Sequence, residues 1–311
     1  MRTAIYLILF IFISYSEILA QRSNKSAVEK LSKSVFEETT LTGLKFRSIG
    51  PAQTSGRVSD FAINPNNFKE YYVAAASGGV WKTVNAGTTY IPVFDEAGSY
   101  SIGCITMDPN NANVIWVGTG ENNNQRSVPY GDGVYKSIDG GETWKNMGLK
   151  SSEHIGKILV DPNNSNIIYV AAIGPLWSSG GERGVYKSVN GGETWRLMLG
   201  IDADTGINDL IMDPRDSQVI YAAAYQRRRH VFTYLGGGPG SGLHKSVDGG
   251  ATWIEINKGL PEVDKGRIGM AMAPSDPEVI YAIVEASEGK GGFFMSTNRG
   301  ASWKKQGNYS T

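Results

Sequence analysis

The chain has one cysteine, three histidines and no net charge, with 30 basic residues against 30 acidic ones in 311. A lone cysteine, Cys104, excludes an intrachain disulfide framework and a cysteine-built zinc cluster. It follows Ile102-Gly103 in an apolar run and reads as a small core residue. His154, His230 and His244 have no metal-ligand spacing with one another, so neither a metal nor a cofactor is expected. A neutral chain also lacks the electrostatic footprint of a nucleic-acid binder. Long apolar runs are scarce. The one near the start, Ala4 to Ile13, is shorter than the roughly twenty residues that a membrane span needs. With Arg2 before it and Ser-Glu-Ile-Leu-Ala20 after it, the run has the layout of a secretory signal cut after about Ala20. The mature chain is therefore expected outside the cytoplasm, secreted, periplasmic or at the cell surface, with no membrane span. Residues 21–43 are rich in Ser, Lys and Glu and read as a polar linker.

What is present is a repeat. Ser137-Ile-Asp-Gly-Gly-Glu-Thr-Trp144 returns as Ser188-Val-Asn-Gly-Gly-Glu-Thr-Trp195, Ser246-Val-Asp-Gly-Gly-Ala-Thr-Trp253 and Ser296-Thr-Asn-Arg-Gly-Ala-Ser-Trp303. A weaker copy, Thr83-Val-Asn-Ala-Gly-Thr-Thr-Tyr90, precedes them. The tryptophans stand 51, 58 and 50 residues apart, and a period near fifty marks a repeat architecture. Each unit also carries a short run ending in Asp-Pro or a similar pair, a run of β-branched and aromatic residues, and a Gly-apolar-aromatic-Lys-Ser/Thr stretch. Four short strands per unit, separated by Gly, Asn, Asp and Pro turns, predict all-β structure. The second run is apolar on nearly every residue, which suits a strand covered on both faces. Radial repetition of four-stranded sheets gives that environment, so the prediction is a β-propeller. Five blades are expected, at about 57–95, 101–149, 155–200, 206–258 and 267–307.

The octapeptide reads as a turn device. Asn85, Asp139, Asn190, Asp248 and Asn298 can accept backbone amide hydrogen bonds from two or three residues on. Trp144, Trp195, Trp253 and Trp303 supply a large ring to bury beside the sheet. Asn replaces Asp in three of the five copies, which an acid or base could not tolerate, so these positions are read as structural. If the octapeptide joins third and fourth strands, the loops between second and third strands lie on the opposite face. Those loops vary in length: Ser77-Gly78, Thr119–Asp132, Gly174–Arg183 and Tyr225–Ser241. Long loops on a rigid scaffold concentrate binding function. The candidate ligand-binding residues are therefore Glu121, Arg126, Tyr130, Trp177, Arg183, Arg227, Arg229, His230 and Tyr234. Arginine beside Tyr and Trp suits a carbohydrate or an extended anionic peptide. No catalytic residue is assigned.

The pattern Ser-x-Asp/Asn-x-Gly-x-Thr/Ser-Trp resembles the Asp-box, or BNR, repeat of sialidases, xyloglucanases and sortilin-type propellers. Phe46-Arg-Ser-Ile-Gly-Pro-Ala52, Ser55–Asp60, Val117-Gly-Thr-Gly-Glu-Asn122 and Tyr130–Ser137 add to that likeness, which runs from Leu44 to Trp303. The chain is similar to secreted bacterial BNR-repeat proteins related to the sortilin (VPS10) N-terminal domain and to xyloglucanase-like propellers. The resemblance implies a propeller domain over 44–311, part of a larger one of six to ten blades, with further domains in the same polypeptide. It implies a module that binds a carbohydrate or peptide. The alternatives it implies are a xyloglucanase-type glycoside hydrolase and a scaffold for assembling exported proteins. Xyloglucanases of this type use two aspartates, one just before a Gly-Gly in the first blade. Aligned on Gly78-Gly79, that position here is Ala76, and the partner aspartate belongs to a second propeller.

Overall fold

The computed structural model of the chain describes residues 56–123 and 128–307. The signal segment, the polar linker and Arg126 lie outside these residues.

The described residues form five four-stranded sheets, each an antiparallel meander whose strands neighbour one another in chain order. The first comprises Val58–Ile63, Tyr71–Ala75, Gly79–Thr83 and Ile91–Pro92. The second comprises Ile102–Asp108, Asn111–Thr119, Val134–Ser137 and Lys145–Asn146. The third comprises Ile155–Asp161, Asn164–Ala172, Gly184–Ser188 and Arg196–Leu199. Thr205–Asp213, Asp216–Gln226, Gly242–Ser246 and Ile254–Glu255 make the fourth. Lys265–Met272, Ile280–Ala286, Gly292–Ser296 and Lys304–Gly307 make the fifth. These are the blades of a propeller, and the first strands of successive blades pack against each other. Among the described residues no helix is long and apolar enough to cross a membrane.

The expected loop Tyr225–Ser241 differs from the structure. The second strand of blade four runs on to Gln226, and a small hairpin, Arg228–Arg229 paired with Tyr234–Leu235, follows it.

The second strands of blades two, three and four are buried on both faces over their later residues, as their unbroken apolar sequence requires, whereas those of blades one and five alternate. Ile168 through Ala172 are all solvent-inaccessible. One side packs against the preceding blade and the other against the next, so the core is a series of layers between blades. Tyr169, Ala171 and Val185 of blade three meet Ile207, Leu210, Ile220 and Ala222 of blade four. Polar side chains near the axis tie the same junctions. The Asp60 carboxylate accepts from Ile105 N at 3.2 Å, Thr106 donates to Ile158 O at 2.8 Å, and Asp209 accepts from Met270 N at 2.8 Å. Lys157 reaches past blade two to Asp60, 3.5 Å away.

Each octapeptide closes on itself in one way. In the second blade Ser137 Oγ donates to Asp139 (2.7 Å) and accepts from Gly141 N (2.8 Å), while Asp139 accepts from Thr143 N (2.9 Å). Blade three repeats this with Asn190: Ser188 Oγ donates to it (2.9 Å), accepts from Gly192 N (2.9 Å), and Thr194 N donates back (3.0 Å). The threonine hydroxyl explains why Asp and Asn interchange. Thr143 Oγ1 donates to the second Asp139 oxygen, whereas Thr194 Oγ1 accepts from the Asn190 amide. A hydroxyl rotates to suit either partner. Gly192 sits at φ +92°, and a Cβ there would lie 2.6 Å from the Trp116 ring of the preceding blade, so only glycine fits.

The octapeptide also joins neighbouring blades. The carbonyl at its fourth residue faces a lysine of the preceding blade in all four strong copies: Lys82 to Gly140 (3.1 Å), Lys136 to Gly191 (3.0 Å), Lys187 to Gly249 (2.8 Å) and Lys245 to Arg299 (3.0 Å). Tyr72, Tyr169 and Tyr221 donate their hydroxyls to the same carbonyls of their next blades. Each lysine lies over the ring beside it, 4.9 to 5.3 Å from the centroid. The indole of the octapeptide tryptophan then reaches back, Trp144 to Val93 O (2.6 Å), Trp195 to Met147 O (2.7 Å) and Trp303 to Ile256 O (2.8 Å).

Two outcomes follow for the turn. Ser188→Ala leaves the Gly192 amide buried without its acceptor, which should cost about 1–3 kcal/mol in urea unfolding. In Asp139, hydrogen bonds from the Thr143 hydroxyl and amide and from Ser137 hold the carboxyl down at about 2, against its ordinary 3.8. Its contribution to stability is present above pH 3.8 and is lost as pH falls towards 2. Asp139→Asn should therefore match the parent's melting temperature at neutral pH and melt less steeply across that acid window. A variant that unfolds at neutral pH would contradict the interchange.

Candidate functional site

The loops between second and third strands, and those leading from one blade to the next, share the face opposite the octapeptides. Four of these segments enclose a cavity of about 620 Å³. It is lined by Tyr100 from the connection between blades one and two, Tyr130 and Asp132 from the long loop of blade two, Glu153 and His154 at the entry to blade three, and Trp177 from the loop of blade three. Tyr100, Tyr130 and Trp177 are each more than half exposed, so three aromatic rings face solvent in one concavity.

Backbone contacts fix these side chains. Pro129 O accepts from Glu121 N and from the Ser101 hydroxyl, both at 3.0 Å, which tethers the segment leading to Tyr130. Gly131 N donates to Glu153 O at 2.7 Å, joining the loops of blades two and three. A Cβ on Gly131 would fall 2.2 Å from Thr119 Oγ1, so this joint needs glycine. Asp132 accepts the Tyr135 hydroxyl at 2.5 Å, and its amide donates to Thr119 Oγ1 at 2.9 Å. Glu153 is half-buried, holds a left-handed backbone at φ 60°, and has no side-chain hydrogen bond among the described residues. Left-handed backbone at a non-glycine residue costs roughly 1–3 kcal/mol and is held only by its surroundings. His154 is buried, with Nδ1 2.9 Å from Glu121 O. Burial, then the positive field of Arg227, pushes its imidazole down to about 3, so the ring is neutral.

The candidate residues read from the sequence divide into three groups. Tyr130 and Trp177 line the cavity. Arg229 and Tyr234 flank it: the Arg229 guanidinium lies 4.6 Å from the Tyr234 ring centroid and 5.9 Å from that of Trp177, and Arg229 N donates to Leu176 O at 2.8 Å. The blade-four hairpin therefore leans on the cavity's tryptophan. His230 is exposed at the turn of that hairpin.

The remaining candidates are not exposed loop residues. Glu121 is 1% exposed and is held by Arg57 and Asn123. Arg183 is buried and its guanidinium is wrapped by its own loop, donating to the carbonyls of Gly180, Ile173, Pro175 and Ser178. Arg227 is fully buried, with its Nη atoms 3.4 Å from Asn123 O and Gly174 O. Three consecutive arginines in a long loop look solvated by composition. The extended strand instead turns Arg227 inward and leaves Arg228 to Asp204 (3.0 Å) and Arg229 to the aromatic rings.

Tyr100 and Glu153 were absent from the sequence-derived set. Both lie in blade-to-blade connections, which reach the same face as the second-to-third loops, and that topology is the signal that would have found them. Among the described residues no group of three His, Cys, Asp or Glu side chains could hold a metal ion.

No family model matches the chain. A xyloglucanase from Paenibacillus sp is 26% identical over 265 residues, covering 84% of this chain and 21% of that protein. The chain thus spans about a fifth of the length of this curated relative. Among solved structures, the GH74 xyloglucanase from Xanthomonas campestris superposes with a TM-score of 0.60 at 18% identity, over 79% of this chain and 38% of that one. YCF48 bound to D1 peptide superposes with a TM-score of 0.50 at 13% identity, over 84% of this chain and 70% of that one. The chain has a propeller fold resembling GH74 propellers, and its sequence is similar to that of xyloglucanases. At these identities the structural likeness concerns the fold.

The neutral His154 has a measurable consequence. The unfolded chain takes up a proton near 6.5 that the folded imidazole refuses until about 3. Stability should fall as pH drops from 6.5 towards 3, and His154→Gln should remove that component of the loss. Equal slopes in urea titrations of the two proteins would show that the ring is not held neutral.

Proposed function

We propose that this chain is the glycan-contacting propeller of a glycoside-hydrolase-like protein, with a β-linked glucan such as xyloglucan as its ligand. The observation that carries this reading is the single concavity in which Tyr100, Tyr130 and Trp177 expose their rings beside Asp132 and Glu153. Sugar rings present apolar C–H faces that stack on aromatic side chains, and equatorial hydroxyls that hydrogen-bond to carboxylates. The cavity offers both within one wall. The sequence similarity to xyloglucanases over 84% of the chain supports the same class of ligand.

The chain's own part in this reading is to hold the glycan. Ala76 occupies the place where the resemblance puts an aspartate of xyloglucanases, and it is a buried alanine whose amide donates to Arg57 O. Glu153 has the freer carboxylate of the pair in the cavity, because Asp132 already accepts the Tyr135 hydroxyl. Glu153 then accepts from a sugar hydroxyl, and Asp132 shapes the wall. The reading includes the octapeptides as Asp-boxes of the BNR type, and export through the N-terminal signal, which N-terminal sequencing of culture-medium protein starting at Gln21 would support.

Calorimetric titration with xyloglucan oligosaccharides tests the proposal. Trp177→Ala should raise Kd about five- to tenfold, the equivalent of one stacking contact of roughly 1–1.4 kcal/mol. Glu153→Gln should weaken binding less, since an amide oxygen still accepts. No binding of xyloglucan or cello-oligosaccharides by folded protein, or a Kd unchanged in Trp177→Ala, would sink it.

A further inference from the structure

Gly98 lines the aromatic cavity and also a second cavity of about 700 Å³. The second cavity follows residues 92–98, which lead out of blade one, and ends against Glu142, Thr143 and Trp144 in the octapeptide of blade two. It therefore runs from the loop face along the junction of blades one and two towards the octapeptide face. Tyr135 lines it, donating its hydroxyl to Asp132 of the first cavity at 2.5 Å and accepting from Gly98 N at 3.1 Å. Gly98 is exposed, and a Cβ there would lie 2.7 Å from the Tyr135 hydroxyl and closer still to the Asp132 carboxylate. A side chain is thus excluded at this saddle, and none stands between the two hollows.

The second cavity repeats the chemistry of the first. Tyr135 and Trp144 line it, with Phe94 buried beside them, 5.2 and 4.9 Å from the two ring centroids and edge-on to both. The Trp144 indole is fixed by its bond to Val93 O. Asp95, Glu96 and Glu142 are exposed along the wall, with no ion pair and no side-chain hydrogen bond among the described residues. No lysine or arginine is among the described residues lining either cavity, and His154 is neutral. Sugar hydroxyls donate to carboxylates, and such charge-assisted bonds are stronger than neutral ones. A sugar acid would instead bring its own carboxylate against Asp132, Glu153, Asp95, Glu96 and Glu142, where like charges repel.

We propose, resting on the glycan reading above, that the two cavities form one track for an uncharged β-linked glycan and turn away glycans that carry uronic acids. Tyr100, Tyr130 and Trp177 hold the first sugar units. The glycan then crosses Gly98, and Tyr135 and Trp144 floor the later units while Asp95 and Glu96 accept from their hydroxyls. Binding strengthens with glycan length beyond what the first cavity holds, and it depends on the charge of the sugar. Exposed carboxylates act through screened fields, so the charge selection weakens as salt is added.

Calorimetric titration of the full chain with cellotriose, cellohexaose and a β-linked glucuronic acid hexamer tests the track. Cellohexaose should bind about three- to tenfold tighter than cellotriose, the gain expected for about one net hydrogen bond. The double variant Asp95→Ala/Glu96→Ala should lose that gain and keep the Kd for cellotriose, because both residues lie outside the first cavity. The glucuronic acid hexamer should bind about tenfold more weakly than cellohexaose, and the gap should narrow in Asp95→Asn/Glu96→Gln and with added salt. Equal Kd values for cellotriose and cellohexaose, an unchanged gain in the alanine variant, or equal binding of the two hexamers would overturn the track and leave the first cavity's reading standing. No binding of any neutral oligosaccharide would remove that reading and the track together.

Discussion

The four junctions between blades share one backbone carbonyl each. The fourth residue of each strong octapeptide points its oxygen at the preceding blade, where a lysine ammonium meets it, joined at three of the four junctions by a tyrosine hydroxyl. A tight glycine-bearing turn is needed to aim that oxygen outward. Ser, Asp or Asn, and Thr or Ser then hold the turn rigid from within, and at three of the four the tryptophan returns a second bond to the same neighbour. The lysine has its own requirements. Burial lowers the pKa of Lys136, Lys187 and Lys245, a cost that the carbonyl and the underlying aromatic ring offset. At the second blade the ring is Trp116, which lacks a hydroxyl, and its indole nitrogen is left without a partner. The lysine there carries the junction without a second donor.

This interdependence explains what was legible in the sequence. Strand order, blade number and the structural role of Asp139 and Asn190 followed from spacing, because every element of the turn repeats with the blade. The Lys of Gly-apolar-aromatic-Lys-Ser was visible as a repeat mark, but its purpose was not. Its partner lies in the next blade, some 54 to 62 residues on, beyond the reach of local pattern reading. The loops behaved differently. Trp177 and Tyr130 face the cavity as an aromatic in a long loop should, whereas Arg183 and Arg227 went inward. Composition cannot separate Arg227 from Arg229, two residues apart on the same segment. Burial there is decided by carbonyls from other blades, at Asn123 and Gly174, and no sequence window contains them.

The site inherits its rigidity from the same logic. Tyr130, Glu153 and Trp177 stand on three separate segments, yet the Gly131–Glu153 bond joins the first two and the bond from Ile173 N to His154 O (2.9 Å) joins the third. A wall of fixed aromatic rings binds a stiff ligand without first ordering itself, which reduces the entropic cost of association. Behind the wall lie the buried guanidinium groups of Arg183 and Arg227, the buried Glu121 carboxylate held by Arg57 and Asn123, a neutral His154 imidazole, and phenols that burial drives further from ionisation.

The fifth blade shows the limits of the junction. Two residues beyond the clamp aromatic, blades one to four carry Ala74, Gly118, Ala171 and Ala223, and a Cβ on Gly118 would fall 2.5 Å from Ile155 of the next blade. Close approach of the neighbour therefore demands a small side chain at that position. Blade five has Ile283 there, 58% exposed, and Met295 where the others have lysine. Phe293 replaces the small apolar residue of the third strand and stacks on Tyr281 at 5.6 Å. A neighbour at the spacing of the other four junctions would meet the isoleucine side chain and find no ammonium for its carbonyl. The repeat is thus the same on its inner strands and turns in all five blades, but the geometry that joins one blade to the next is a property of the first four. Whatever touches the outer face of the fifth blade must pack on bulk and aromatic surface instead of on a carbonyl clamp.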